Sequence, residues 1–202
     1  MIKRTMEELN RLSVEQYRQA DKLPLVVVLD NVRSQHNVGA VFRTSDAMCI
    51  ERVVLCGICC CPPNAEIHKT ALGAEESVEW SYFKDTVDAV QALKADGFQV
   101  FAIEQAHDSV TLEAFCESLT AKRSVSETVC QRSVLTGEAG FNRIAVIFGH
   151  EVFGVQQEVI DLCDGCIEIP QYGTKHSLNV SVTAGIVIYR ISEALRNNHL
   201  TA

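Results

Sequence analysis

The chain has 202 residues, 47% of them hydrophobic and 22% charged, which is ordinary for one soluble globular domain with its own core. No apolar run approaches the ~18–20 residues of a membrane span, and the opening Met1-Ile2-Lys3-Arg4-Thr5-Met6-Glu7-Glu8 has acids where a signal peptide needs an apolar stretch. The net charge of −8 weighs against a non-specific nucleic-acid binder. Residues 1–43, however, hold seven basic against five acidic side chains, a local +2 that leaves −10 for the rest, so a polyanion would meet a local patch.

In chain order, Ile2, Met6, Leu9 and Tyr17 recur at near-helical spacing, predicting an amphipathic helix over residues 2–20, an N-terminal extension (1–24) closed by Lys22-Leu23-Pro24. Leu25–Leu29 is a continuous apolar, mostly β-branched run, as expected of a strand buried on both faces. Similar runs recur at Arg52–Leu55, Val100–Ile103, Ile144–Phe148 and Cys166–Ile169. Helical patterns fall between or after them, at Val38–Met48, Thr86–Ala95, Val155–Leu162 and about Leu178–Asn198. This alternation predicts an α/β domain over residues 25–202, with a mainly parallel sheet and helices on both faces. Residues 116–142, rich in Ser, Thr, Glu and Gly, break the rhythm and read as a flexible insertion.

Nine cysteines, an odd number with Cys59-Cys60-Cys61 contiguous, do not resemble an exported disulfide framework. They read as small buried hydrophobes in a reducing cytoplasm. Two C-x-x-C pairs, Cys56–Cys59 and Cys163–Cys166, raise the question of zinc. Each abuts or enters a buried strand rather than a glycine turn, so no metal is expected.

Open parallel sheets bind ligands beyond the carboxyl ends of their strands, and three loops there are rich in polar groups. After the first strand, Asn37 is placed to cap a helix, Gly39 permits close approach in its first turn, and Arg43 can reach towards a phosphate. After the fourth buried strand, Phe148-Gly149-His150-Glu151-Val152-Phe153-Gly154 sets an ionisable pair between glycines. After the fifth, Ile169-Pro170 leads through Gln171–His176 to Ser177-Leu178-Asn179-Val180 at the start of the last helix. Singly, each reads equally well as a cap or a turn. No dinucleotide fingerprint or Walker loop is present, which sets aside an ordinary nucleotide-dependent oxidoreductase.

The ordered trio Asn37–Thr44, Phe148–Val155 and Ile169-Pro170 with Ser177–Val182 resembles the three signature motifs of the SpoU (TrmH-like) family in the SPOUT superfamily of RNA methyltransferases. Lys69–Ala74 is a weaker family-like element, and the resemblance runs from about Leu25 to Leu195. The second motif departs from the usual pattern: His150 stands where the family more usually has Asn, and Val152 where Gly is frequent. The resemblance implies a C-terminal trefoil knot, an exception to the rule against knots. It also implies S-adenosylmethionine as methyl donor, RNA as substrate and a homodimer with sites at the subunit interface. Gly149, Ile169 and Leu178 would line the cofactor pocket, largely through backbone groups, with Glu104 joining from an earlier strand end. Arg43, Asn37, Glu151, Ser177 and Asn179 would form the reactive constellation. The compact layout resembles tRNA-modifying members somewhat more than ribosomal ones.

The activity so implied is transfer of a methyl group to a ribose 2′-hydroxyl of tRNA or rRNA. Arg43 would engage the neighbouring phosphate, and three groups compete as proton acceptor: Arg43 itself with a lowered pKa, the phosphate oxygen, or His36. A loop or capping role for His36 is the competing reading. The alternative to an enzyme is a non-catalytic RNA-binding or assembly factor that keeps the fold.

Overall fold

The computed structural model describes residues 1–5, 8–121 and 143–200. Its centre is a seven-stranded sheet in the order β3-β2-β1-β6-β4-β7-β5, with every pairing parallel. The strands are β1 (Leu23–Asp30), β2 (Ile50–Cys56), β3 (Glu79–Phe83), β4 (Gln99–Ile103), β5 (Val110–Thr111), β6 (Ile144–Phe148) and β7 (Gly165–Glu168). All five strands expected from the apolar runs are present, with ends displaced by a residue or two. The short edge strands β3 and β5 were missed because they lack such a run: β3 is exposed at Glu79, Trp80 and Tyr82, and β5 has two residues.

Both faces of the sheet are covered, which is why β1 reads as an unbroken apolar run. Leu25, Val27 and Leu29 of β1 enter one core with residues of α2 (Gln35–Met48), α3 (Ala65–Ala71), α4 (Ala74–Ser77), α6 (Leu112–Ala121) and α8 (Val180–Leu200). Val26 and Val28 enter a second core with α5 (Thr86–Ala95) and α7 (Gln157–Leu162). Period-two alternation along a strand thus feeds two layers. Among the described residues no helix is long and apolar enough to cross a membrane.

Three expectations need correction. Among the described residues, the N-terminal helix expected over residues 2–20 is realised as α1 (Val14–Gln19), started by a capping box between Ser13 and Gln16. Tyr17 alone of α1 is buried, while Ile2, Leu9 and Leu12 are exposed, so the periodicity upstream has no face to bury against. The insertion expected at 116–142 begins too early. Cys116 and Leu119 continue the stripe begun by Leu112 and Phe115, and α6 buries all four; residues 122–142 lie outside those described. Finally, Asn37 does not cap α2. Ser34 does, its hydroxyl accepting from the Asn37 backbone N–H at 3.3 Å, and the helix begins at Gln35.

Candidate active site

Capping by Ser34 puts Asn37 in the first turn of α2 with its side chain free for other work. Its amide Nδ2 donates to Glu151 Oε1 at 3.2 Å, and its Oδ1 accepts from Asn179 Nδ2 at 3.3 Å. Residues 114 and 142 positions apart in sequence therefore meet on one buried amide. Glu151 also accepts from the backbone N–H of Ser34 at 2.9 Å and of Arg33 at 3.1 Å. Burial pushes the Glu151 carboxyl up, but the N–H groups of Arg33, Ser34 and Glu151 itself and the Asn37 amide outweigh it, holding the group below the ordinary carboxylate range. Asn179 orients the next helix as well, its Oδ1 accepting from Ser181 N at 2.9 Å and Ser181 Oγ at 2.6 Å. The three strand-end loops singled out in the sequence are thus one hydrogen-bonded clasp.

Beside the clasp opens a cleft of about 1210 Å³ at the carboxyl ends of β4, β6 and β7. Glu104, Gly149, Glu151, Ile169, Ser177, Leu178 and Asn179 all line it. Gly149 lets the 150–154 turn lie directly on the strand end; a Cβ there would stand 2.1 Å from the Gly154 carbonyl carbon and 2.2 Å from Val155 N. Glu104 braces the same turn, accepting from Val155 N at 3.1 Å and, through its other oxygen, from Gln105 N at 2.9 Å. Sequence reasoning overlooked Gln105, Ala106 and His107, which follow Glu104 into the cleft, and Glu168 at the end of β7. The rule that found the other loops, following each strand past its carboxyl end, would have found these.

Arg43 stands apart from this group. It lies six residues beyond Asn37 on α2, roughly 9 Å along the axis and about 240° around it. It is exposed and pairs with no described residue. Ser177 is exposed on the loop entering α8. His36 faces away from the clasp chemistry: its Nε2 is 3.2 Å from Glu66, which also holds Lys69, and its carbonyl accepts from Thr70 Oγ1 at 3.0 Å. The surface pairing favours the bland reading of His36. The cysteine pairs behave as core thiols, burial pushing Cys56, Cys59 and Cys163 up to about 12 and Cys166 upward.

Chemically, the cleft offers apolar walls in Phe148, Ile167, Ile169 and Leu178 and carboxylates in Glu104 and Glu168. Each Glu104 oxygen accepts one backbone N–H and retains capacity for another donor. That set suits a ligand with an apolar portion, hydrogen-bond donors and a cationic group.

The SpoU rRNA Methylase family model matches residues 24–189. A tRNA (guanosine(18)-2'-O)-methyltransferase of Thermus thermophilus is 30% identical over 186 residues, covering 92% of this chain and 83% of the relative. A 23S rRNA (guanosine-2'-O-)-methyltransferase RlmB of Vibrio parahaemolyticus is 29% identical over 192 residues, covering 94% of this chain but 66% of the relative. The chain therefore spans just under two thirds of the length of that ribosomal-RNA relative. Among solved structures, an A. aeolicus TrmH/SpoU tRNA modifying enzyme superposes with a TM-score of 0.71 at 24% identity, covering 92% of this chain and 84% of that one. An AdoMet-bound rRNA methyltransferase from Sinorhizobium meliloti superposes with a TM-score of 0.68 at 23% identity, covering 90% and 60%.

Proposed function

Because the chain belongs to the SpoU rRNA methylase family, we propose that it methylates a ribose 2′-hydroxyl of RNA with S-adenosylmethionine as donor. The observation that carries the reading is the clasp of Asn37, Glu151 and Asn179 beside a cleft lined by carboxylates and apolar side chains at the strand ends. When bound, the cofactor supplies an electrophilic methyl group. Gly149, Ile169 and Leu178 would hold it, largely through backbone groups, with Glu104 available to a hydroxyl or cationic group.

The chain's own work is orientation and proton management. In this reading Asn37 and Asn179 hold the loops that present the target ribose, Glu151 fixes the Arg33-Ser34 turn beside it, and Ser177 shapes the loop entering α8. Arg43 engages the phosphate next to the target ribose through its planar, always cationic fork. A guanidinium without a described partner is available for that task. The 2′-hydroxyl proton passes to the phosphate oxygen that Arg43 orients; His36, already facing Glu66, is the weaker acceptor.

A homodimer belongs to the same proposal. Arg43 points away from its own chain's clasp by the helical arithmetic above, which is what a residue serving a partner's cleft requires. Along α8, Val182, Ile186 and Tyr189 form an exposed apolar stripe opposite the buried Ala184, Val187 and Ile191, as a subunit contact would need. The trefoil knot is supported by the route of the chain: β7 lies beyond β4, and α8 returns across to pack on α2 and β1. The abundance of free thiols, among them Cys49, Cys60 and Cys61, fits a reducing cytoplasm. We take tRNA as the first substrate to test, since the Thermus relative, 30% identical over 186 residues, is a tRNA enzyme.

The test is mass-spectrometric mapping of ribose methylation in tRNA and rRNA from a deletion strain, with the purified chain and S-adenosylmethionine restoring any missing mark. An unchanged map would favour a non-catalytic RNA-binding factor. Arg43→Lys keeps the charge but loses the fork, so it should lower turnover by at least tenfold; near-normal methylation would remove Arg43 from the mechanism.

A further inference from the structure

The turn that delivers Glu151 to the clasp is itself held by one side chain. His150 N donates to the Gly154 carbonyl at 3.0 Å and Gly154 N to the His150 carbonyl at 2.9 Å, closing a tight bridge around residues 151–153. Inside that bridge the Val152 backbone N–H donates to His150 Nδ1 at 3.0 Å. A side-chain acceptor on residue i taking the N–H of residue i+2 is the geometry of an Asx turn, ordinarily made by asparagine or aspartate. In His150 the imidazole makes it. The Nδ1 atom and an asparagine Oδ1 are both bonded to Cγ, so the two side chains put an acceptor at nearly the same place. Accepting at Nδ1 fixes the neutral ring's proton on Nε2, and the ring lies against Phe153 with centroids 5.0 Å apart.

We infer that His150 is a positioning residue: its δ1 acceptor pins the backbone immediately after Glu151, and so aims that carboxylate at Arg33, Ser34 and Asn37. The inference rests on the methyltransferase reading for its kinetic consequence but not for its structural one. Val152 and Phe153 are 69% and 84% exposed, so water can satisfy the Val152 N–H when the imidazole is removed. What is lost is then the aim of the turn rather than the fold.

Three variants separate the acceptor from the ring. His150→Asn keeps a δ1 acceptor without the imidazole, His150→Ala removes both, and His150→Phe keeps a ring without the acceptor. Amide hydrogen exchange in the RNA-free protein should show the Arg33 and Ser34 N–H groups about tenfold less protected in His150→Ala and His150→Phe, and near wild type in His150→Asn, with the far-UV circular dichroism spectrum unchanged. With RNA and S-adenosylmethionine, His150→Ala and His150→Phe should lose at least tenfold in kcat with KM for the methyl donor within about twofold, and His150→Asn should recover most of that loss. Unchanged protection in His150→Ala overturns the proposal, as does His150→Asn proving as damaged as His150→Ala. A wild-type chain that methylates no RNA would defeat the functional reading alone, because the exchange experiment stands without activity.

Discussion

The clasp makes a quantitative prediction about coupling between two loops. Glu151→Ala removes three hydrogen bonds to a carboxylate, at 2.9, 3.1 and 3.2 Å. Bonds to charged groups are worth about 1.5–3 kcal/mol each, but water reaches this carboxylate and can replace its partners, so each is discounted to about 1 kcal/mol and the total is about 3 kcal/mol. Asn37→Ala removes one of those three and the 3.3 Å bond from Asn179, for about 2 kcal/mol. The Asn37–Glu151 bond is counted in both, so the double variant should lose less than the sum by about 1–1.5 kcal/mol. Urea unfolding at neutral pH of the wild type, both single variants and the double variant measures that difference directly. Additivity to within about 0.5 kcal/mol would mean that the two side chains do not act on each other, and the clasp would fail as a unit.

Other outcomes follow from neighbouring geometry. Gly39→Ala puts a Cβ 2.2 Å from Thr70 Oγ1 and 2.3 Å from the Ile67 carbonyl oxygen, so calorimetry should show a loss of about 1–3 kcal/mol; adding Thr70→Ala should not restore it, because the carbonyl remains. Asp30 is fully buried and accepts from Asn31 Nδ2, Thr86 Oγ1, Gln156 N and Gln156 Nε2, so Asp30→Asn turns an N–H against donors and should cost about 2–3 kcal/mol by urea titration. The Glu151 carboxyl has a folded pKa below its unfolded value of about 4.3. Its stabilisation is therefore complete well above that value and disappears as pH falls through the depressed folded one. Unfolding midpoints between neutral and pH ~3 should fall more steeply for wild type than for Glu151→Gln, and parallel curves would contradict the assignment. Cys56, Cys59 and Cys163, raised to about 12, should resist a thiol reagent at pH 8 until the chain unfolds.

The sheet was legible because its central strands are buried on both faces: β1 and β6 advertise themselves as apolar runs, and β3, half exposed at the edge, does not. α6 was partly lost because its outward face carries Glu113, Glu117 and Thr120, while the apolar spacing at Leu112, Phe115 and Leu119 was the better guide. At the site, the motif order marked which loops converge but not how. Asn37 looked like a cap because cap residues and bridging residues share a chemistry, and only the position of Ser34 separates the two. The role of His150 could not be read from sequence, since it depends on a turn bringing Val152 N back onto the ring.

The clasp joins residues 37, 151 and 179, so most of the chain must exist before it can close. During synthesis at about 5–20 residues per second, roughly 7–28 s separate the making of Asn37 from that of Asn179. For most of that interval β1 has no β6 to pair with, and throughout it there is no α8 to cover β1 and α2. Contacts of such long range also fold slowly once the chain is free. The nascent protein thus carries an apolar sheet edge for many seconds before it has a site at all, and its yield in a cell should depend on what shields that edge.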